Sequence, residues 1–171
     1  MYNMRTPLIA GVVCLVASAA SAQQAWSIVE TKSAKNDSDQ LSAVMVVGDA
    51  ALILRCRNQI TEAAFSTKNT VLGDGSVTVR YRINSESPIK EAWRSSMDGR
   101  AAFAPNPMDF IRILPDNGRV FIRAIAADGQ NKEANFKLSG VSTVRDKIGH
   151  ACNWSNAPDE STGAINQPQA R

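Results

Sequence analysis

Apolar and polar positions alternate every second residue over most of the middle of the chain. The cleanest run is VTVRYRI, residues 77–83, where Val77, Val79, Tyr81 and Ile83 alternate with Thr78, Arg80 and Arg82. That period belongs to a strand with one buried and one solvated face, as in an antiparallel sheet. LSAVMVV (41–47) and ALILRCR (51–57) flank Gly48-Asp49 and predict a hairpin. In its second arm Leu52, Leu54 and Cys56 share one face, and Ile53, Arg55 and Arg57 the other. AWSIVE around Trp26 predicts a first strand, ITEAAFS (60–66) a weaker one, and IKEAW, after a SESP turn, another that ends at Trp93. RVFIRAIA (119–126) and KEANFKL (132–138) predict a second hairpin across Asp128-Gly129. LGDGS and SMDGR read as turns, and TKSAKNDSDQ (31–40) as a polar loop.

Two segments change to helical spacing. In NPMDFIRILPDNG, Asn106 suits the N-cap, Pro107 the first helical position and Asp109 the dipole, while Pro115 and Gly118 end the helix. In SGVSTVRDKIGHAC, Val141, Val144 and Ile148 recur on one helical face. About nine short strands with two short helices predict a mainly β domain, either an antiparallel β-sandwich or a partly open barrel.

The ends change this picture. Arg5, an apolar stretch from Pro7 to Ala20 and Ala20-Ser21-Ala22 form the three parts of a secretory signal peptide, with Gln23 as the mature start. The apolar part, about 14 residues, is shorter than the roughly 20 that a spanning helix needs, so no stable membrane span is expected. Cys14 leaves with the leader. The organisation read from the sequence is therefore a signal peptide over 1–22, one β-rich domain over 23–155, and a disordered polar tail over 156–171.

Export decides the reading of the cysteines. Between two arginines, the Cys56 thiol would be an activated thiolate in a reducing compartment. Outside the cytosol, with Cys152 as the one remaining partner, a structural disulfide is the expectation. It would close a loop of about a hundred residues and stabilise the fold by about 4–5 kcal/mol. Cys56 also sits on the inward face of its strand, which favours the staple.

Composition narrows function by exclusion. The chain carries net charge +3, reduced by one when Arg5 is removed. Such a small excess in an exported chain gives no argument for a nucleic-acid partner. The single histidine, His150, cannot build a multi-histidine zinc site, and no metal or other cofactor is expected. Asp37 and Asp39 fall in the polar loop, and Asp98, Asp109, Asp116 and Asp128 at turns or helix starts, where aspartate serves the backbone. No phosphate loop, G-x-S-x-G or H-E-x-x-H motif occurs. The chain therefore reads as non-enzymatic, with no catalytic residues assigned. The notable side chains are Arg55, Arg57, Arg80 and Arg82, which would form one guanidinium stripe for carboxylates if their strands were neighbours. Otherwise they are a solvated face. Trp26, Trp93 and Trp154 could stack on a ligand or anchor the core.

A set of short motifs recurs in a particular order: Trp26, then L-x-L-R-C ending at Cys56, V-x-Y-R-I over 79–83, A-W-x-x-S-x-D over 92–98, F-I-x-x-L over 110–114, V-F-I-R over 120–123, F-x-L-S-G over 136–140 and C-N-W over 152–154. In order and spacing the chain resembles the VasI (also called TagO) family of exported proteins associated with type VI secretion. The resemblance covers most of residues 26–154. It implies a periplasmic or secreted accessory protein whose partner is a protein of the cell envelope, such as a secretion apparatus, and which has no known catalytic residues. The matching positions are Arg55, Cys56, Arg82, Trp93 and Cys152. Asn84 stands where that pattern usually carries an acid, which removes the carboxylate expected beside Arg82. The contrasting reading is a hydrolase of the cell envelope, or an inhibitor of one, which predicts a cleft with two carboxylates or an arginine placed against a substrate acid.

Overall fold

The computed structural model describes residues 24–32 and 39–154. The expected signal peptide and tail, and most of the polar loop, lie outside the described residues.

Nine strands follow the alternation: β1 Ser27–Lys32, β2 Asp39–Val47, β3 Ala50–Arg57, β4 Ile60–Thr67, β5 Ser76–Ile83, β6 Ile89–Ser95, β7 Ala101–Phe103, β8 Asn117–Ile125 and β9 Asn131–Ser139. They form one open, wholly antiparallel sheet in the order β1-β2-β3-β4-β7-β6-β5-β8-β9. The mainly β, antiparallel fold with two short helices is the one the sequence predicts, although its strands belong to one continuous sheet. Both expected hairpins are present: Val47 pairs with Ala50 across Gly48-Asp49, and Ile125 with Asn131 across Asp128-Gly129.

The sheet curls until its two ends meet. β9 lies against β2 and β3, and the Phe136 ring meets that of Phe65 on β4 edge-on, 6.3 Å between centroids. Ahead of β1, the Gln24 side-chain oxygen accepts the Lys137 backbone N–H of β9 at 2.6 Å. An edge amide that would otherwise invite pairing is thus capped from the opposite end of the same sheet. Inside the curl, Met45, Leu52, Leu54, Phe65, Val79, Trp93, Ile122, Phe136 and Leu138 form one continuous core. In β2, β3, β5, β8 and β9 the inward residues are every second residue, as the pleat requires.

The two helices complete that core. α1, Pro107–Ile113, buries Phe110 and Ile111. α2, Val141–Ala151, lays Val144, Ile148 and Ala151 toward β2 and β3. The helices also supply each other's terminal partners. Arg145 of α2 donates to the carbonyls of Ile111 and Leu114 at the end of α1, and Asp116 just beyond accepts the Ser142 N–H in the first turn of α2 at 2.7 Å. Such groups have no partner within their own helix.

Cys56 and Cys152 are bonded, with Cα atoms 5.6 Å apart and a sequence separation of 96. The bridge ties the end of α2 to β3, beside the core. Three details depart from the sequence reading. β7 is a strand of only three residues, too short to show alternation. Thr31 and Asp39, placed in the polar loop, belong to β1 and β2, where Lys32 pairs with Asp39 in register and by an ion pair of 2.8 Å. Asn106 precedes α1 without donating or accepting a side-chain cap bond.

Candidate functional site

The four arginines do not share one stripe. β3 and β5 are separated in the sheet by β4, β7 and β6, so Arg55 and Arg57 lie apart from Arg80 and Arg82. Arg55 is engaged internally: its Nε donates to Glu62 Oε2 at 2.6 Å, and its guanidinium lies 5.7 Å from the Phe103 ring centroid. Arg94 lies over the same ring at 5.0 Å. Arg57 is exposed at the end of β3.

Arg80 and Arg82 instead acquire new neighbours. Arg80 stands directly opposite Lys90 on β6 and Arg123 on β8, and Arg123 stands opposite Glu133 on β9. One position along, Arg82 faces Phe121, and beyond it Arg119 faces Lys137. The outward face of β6, β5, β8 and β9 in this region thus carries six cations and one carboxylate, Glu133. Glu133 accepts from Arg123 Nε at 2.8 Å, and the Arg123 guanidinium also lies 5.5 Å from the Phe121 ring centroid. Arg80, Arg82, Lys90, Arg119 and Lys137 have no acid partner among the described residues. Directly opposed like charges cost about 0.2–1 kcal/mol per pair. The chain as a whole is only +3, so positive charge has been gathered on this face rather than spread.

Sequence reasoning identified Arg80 and Arg82 and missed Lys90, Arg119, Arg123 and Lys137. A signal was available: Arg119, Phe121 and Arg123 alternate with Val120 and Ile122 as the arginines do in β5. What the sequence lacks is the β5–β8 register, which sets two such strands side by side.

Trp93 is not a contact residue. Its side chain is fully buried, tilted against Tyr81 and edge-on to Phe110, with centroids 6.1 and 5.4 Å away. Its Nε1 donates to Glu91 Oε2 at 2.9 Å. The Tyr81 hydroxyl meets the other oxygen of Glu91 at 3.4 Å. Burial first, and the Glu91 charge second, push the Tyr81 phenol up to about 12. Trp154 is an anchor as well, donating from Nε1 to Thr61 Oγ1 at 2.8 Å, beneath Arg112. Asn84, in place of the expected acid, takes a left-handed backbone (φ 48°) and accepts the Arg119 N–H at 3.0 Å. It serves the turn and offers Arg82 no carboxylate.

A half-open cleft of about 270 Å³ lies between the β1–β2 edge and α2, lined by Glu30, Thr31, Asp39, Gln40, Leu41, Lys147, His150 and Ala151. Its charges neutralise one another: Lys147 bonds Glu30 at 2.6 Å, and Asp39 is held below the usual carboxylate range first by its hydrogen bond from Lys32. His150, the only histidine, is exposed on its wall. Among the described residues no group of three or more His, Cys, Asp or Glu side chains could hold a metal ion, and no helix is long and apolar enough to cross a membrane. Comparison with family models, curated proteins and solved structures found no match to this chain.

Proposed function

We propose that the protein is an exported, periplasmic binding module, non-enzymatic, that serves the cell envelope through its cationic sheet face. The observation that carries this reading is the row Lys90–Arg80–Arg123, three cations side by side across three strands. Folding alone disfavours that juxtaposition, and an anionic partner relieves it. The leader-like start and the Cys56–Cys152 bond support export, since such a bond persists outside the reducing cytosol. The resemblance to VasI supports an accessory role, with the type VI secretion apparatus as one setting. The self-neutralised cleft gives the hydrolase reading no pair of free carboxylates.

Cell fractionation tests this. The protein should be recovered with the envelope, start at Gln23, carry the disulfide by mass spectrometry, and be released by salt. The Arg80→Glu/Arg82→Glu variant should be exported and folded but leave the envelope fraction at low salt. A leader-bearing protein with free thiols inside the cell, or a variant retained like the wild type, overturns the reading.

A further inference from the structure

The arrangement of the cationic face says more about its partner than its sign does. Neighbouring strands are about 4.8 Å apart and alternate residues on a strand about 7 Å apart. Lys90, Arg80 and Arg123 therefore run across the sheet, while Arg80 with Arg82 and Arg123 with Arg119 run along it. The cations occupy a two-dimensional grid on an outward face. A single linear polymer can follow one row of such a grid. A surface array of anions can meet several of its rows at once.

Apolar side chains stand among the cations, beside Thr78, Glu133 and Asn135. Phe121 sits among Arg82, Arg119 and Arg123, half-buried, and Ile125 is exposed at the end of the same strand on the same face. Ala92 lies beside Lys90 on β6. Guanidinium and ammonium groups set among partly exposed apolar side chains match the boundary between anionic headgroups and acyl chains. Flexible arginine and lysine stems can fold back so that the charges stay with the headgroups while the ring and the isoleucine approach the hydrocarbon.

We propose that this face docks on an anionic phospholipid bilayer, so that the protein is peripheral to a membrane of the envelope. The proposal rests on the reading above that the cationic face is the contact surface, and it names the partner. Each cation near an anionic bilayer strengthens binding about fivefold. Binding should therefore fall steeply as salt rises.

The test is sedimentation of the purified protein with mixed phosphatidylglycerol–phosphatidylcholine vesicles and with phosphatidylcholine vesicles alone. Binding is expected to the first and not the second. The Arg80→Ser/Arg82→Ser variant should bind on the order of thirtyfold more weakly, with unchanged circular dichroism. Arg80→Lys/Arg82→Lys should bind as the wild type does, since a bilayer reads charge rather than a guanidinium fork. Arg57→Ser/Lys68→Ser removes the same charge away from the face and should bind almost normally. If that control loses as much as the Arg80/Arg82 variant, net charge is responsible and the proposal falls. If no vesicle binds while salt-sensitive retention in the envelope persists, the partner is a protein or polymer: the lipid proposal falls and the proposed function stands. If both fail, both are wrong.

Discussion

Two indoles in this chain meet opposite fates. Trp93 is enclosed and its N–H is spent on Glu91, at 2.9 Å. Trp26 packs on the margin of the core with its Nε1 buried and without a hydrogen-bond partner among the described residues. An unpaired buried donor loses hydration and gains nothing in return. Replacing Trp26 by Phe should thus cost little, within about 1 kcal/mol, because the lost packing is offset by removal of the stranded N–H. Trp93→Phe removes a bond to a half-buried carboxylate and leaves space in a close-packed aromatic group. It should cost about 2–3 kcal/mol. Urea unfolding of the two variants at neutral pH decides between equal and unequal effects, and equal losses would mean that the Glu91 bond contributes nothing at Trp93. The sequence offered no means of ranking these tryptophans, since both stand in apolar alternating runs. Their difference comes from Glu91, two residues from Trp93, with its carboxylate turned inward.

Elements were legible wherever a pattern persisted for several residues. β5 showed itself through Val77, Val79, Tyr81 and Ile83, and α2 through Val141, Val144 and Ile148. β7 did not, because Ala101–Phe103 is strand only by virtue of the edges of β4 and β6 that it joins. Equally hidden was the cross-capping of the helices, which depends on an approach between residues far apart in sequence. Ser142 and its backbone, followed by the charge of Arg145, hold the Asp116 carboxyl below its ordinary value of 3.8. A carboxyl depressed in the folded state stabilises above the unfolded value and loses that effect as pH falls through the folded one. Asp116→Asn keeps an acceptor for Ser142 but has no charge to titrate. Wild type should therefore exceed this variant in stability near neutral pH, with the gap constant down to about pH 4 and closing below it. From the other side, Arg145→Ala strips two carbonyls at the end of α1 and should cost about 1–3 kcal/mol at neutral pH. Thermal melts across the pH range read both, and a gap that widens in acid would refute the capping role of Asp116.

For the whole molecule, the open question is what keeps a single curled sheet closed when its first and last strands are not hydrogen-bonded to each other as a ladder. Core contacts between β9 and β2–β4 provide part of the answer, and the Gln24–Lys137 bond caps one edge position. The covalent part is the Cys56–Cys152 bridge, which fastens α2 to β3 and joins residues 96 apart in sequence. Strand order and the cationic grid follow from this long-range closure and could not be read from local alternation. The bridge itself could be, because the export expected from the sequence leaves two cysteines, which allow a single pairing. Chain entropy assigns a loop of this size about 4–5 kcal/mol, a large share of the roughly 5–15 kcal/mol by which domains are stable. Cys56→Ala/Cys152→Ala should lower the unfolding free energy by about that amount, and reductant should destabilise the wild type but not the variant. The secondary structure would persist where folding survives, since neither sulfur belongs to a ladder bond. The loosened part should be α2 with the α1 terminus that Arg145 caps, so amide exchange there should rise before exchange in β5 and β8. Uniform exchange across the sheet would show instead that the bridge acts only on the unfolded chain.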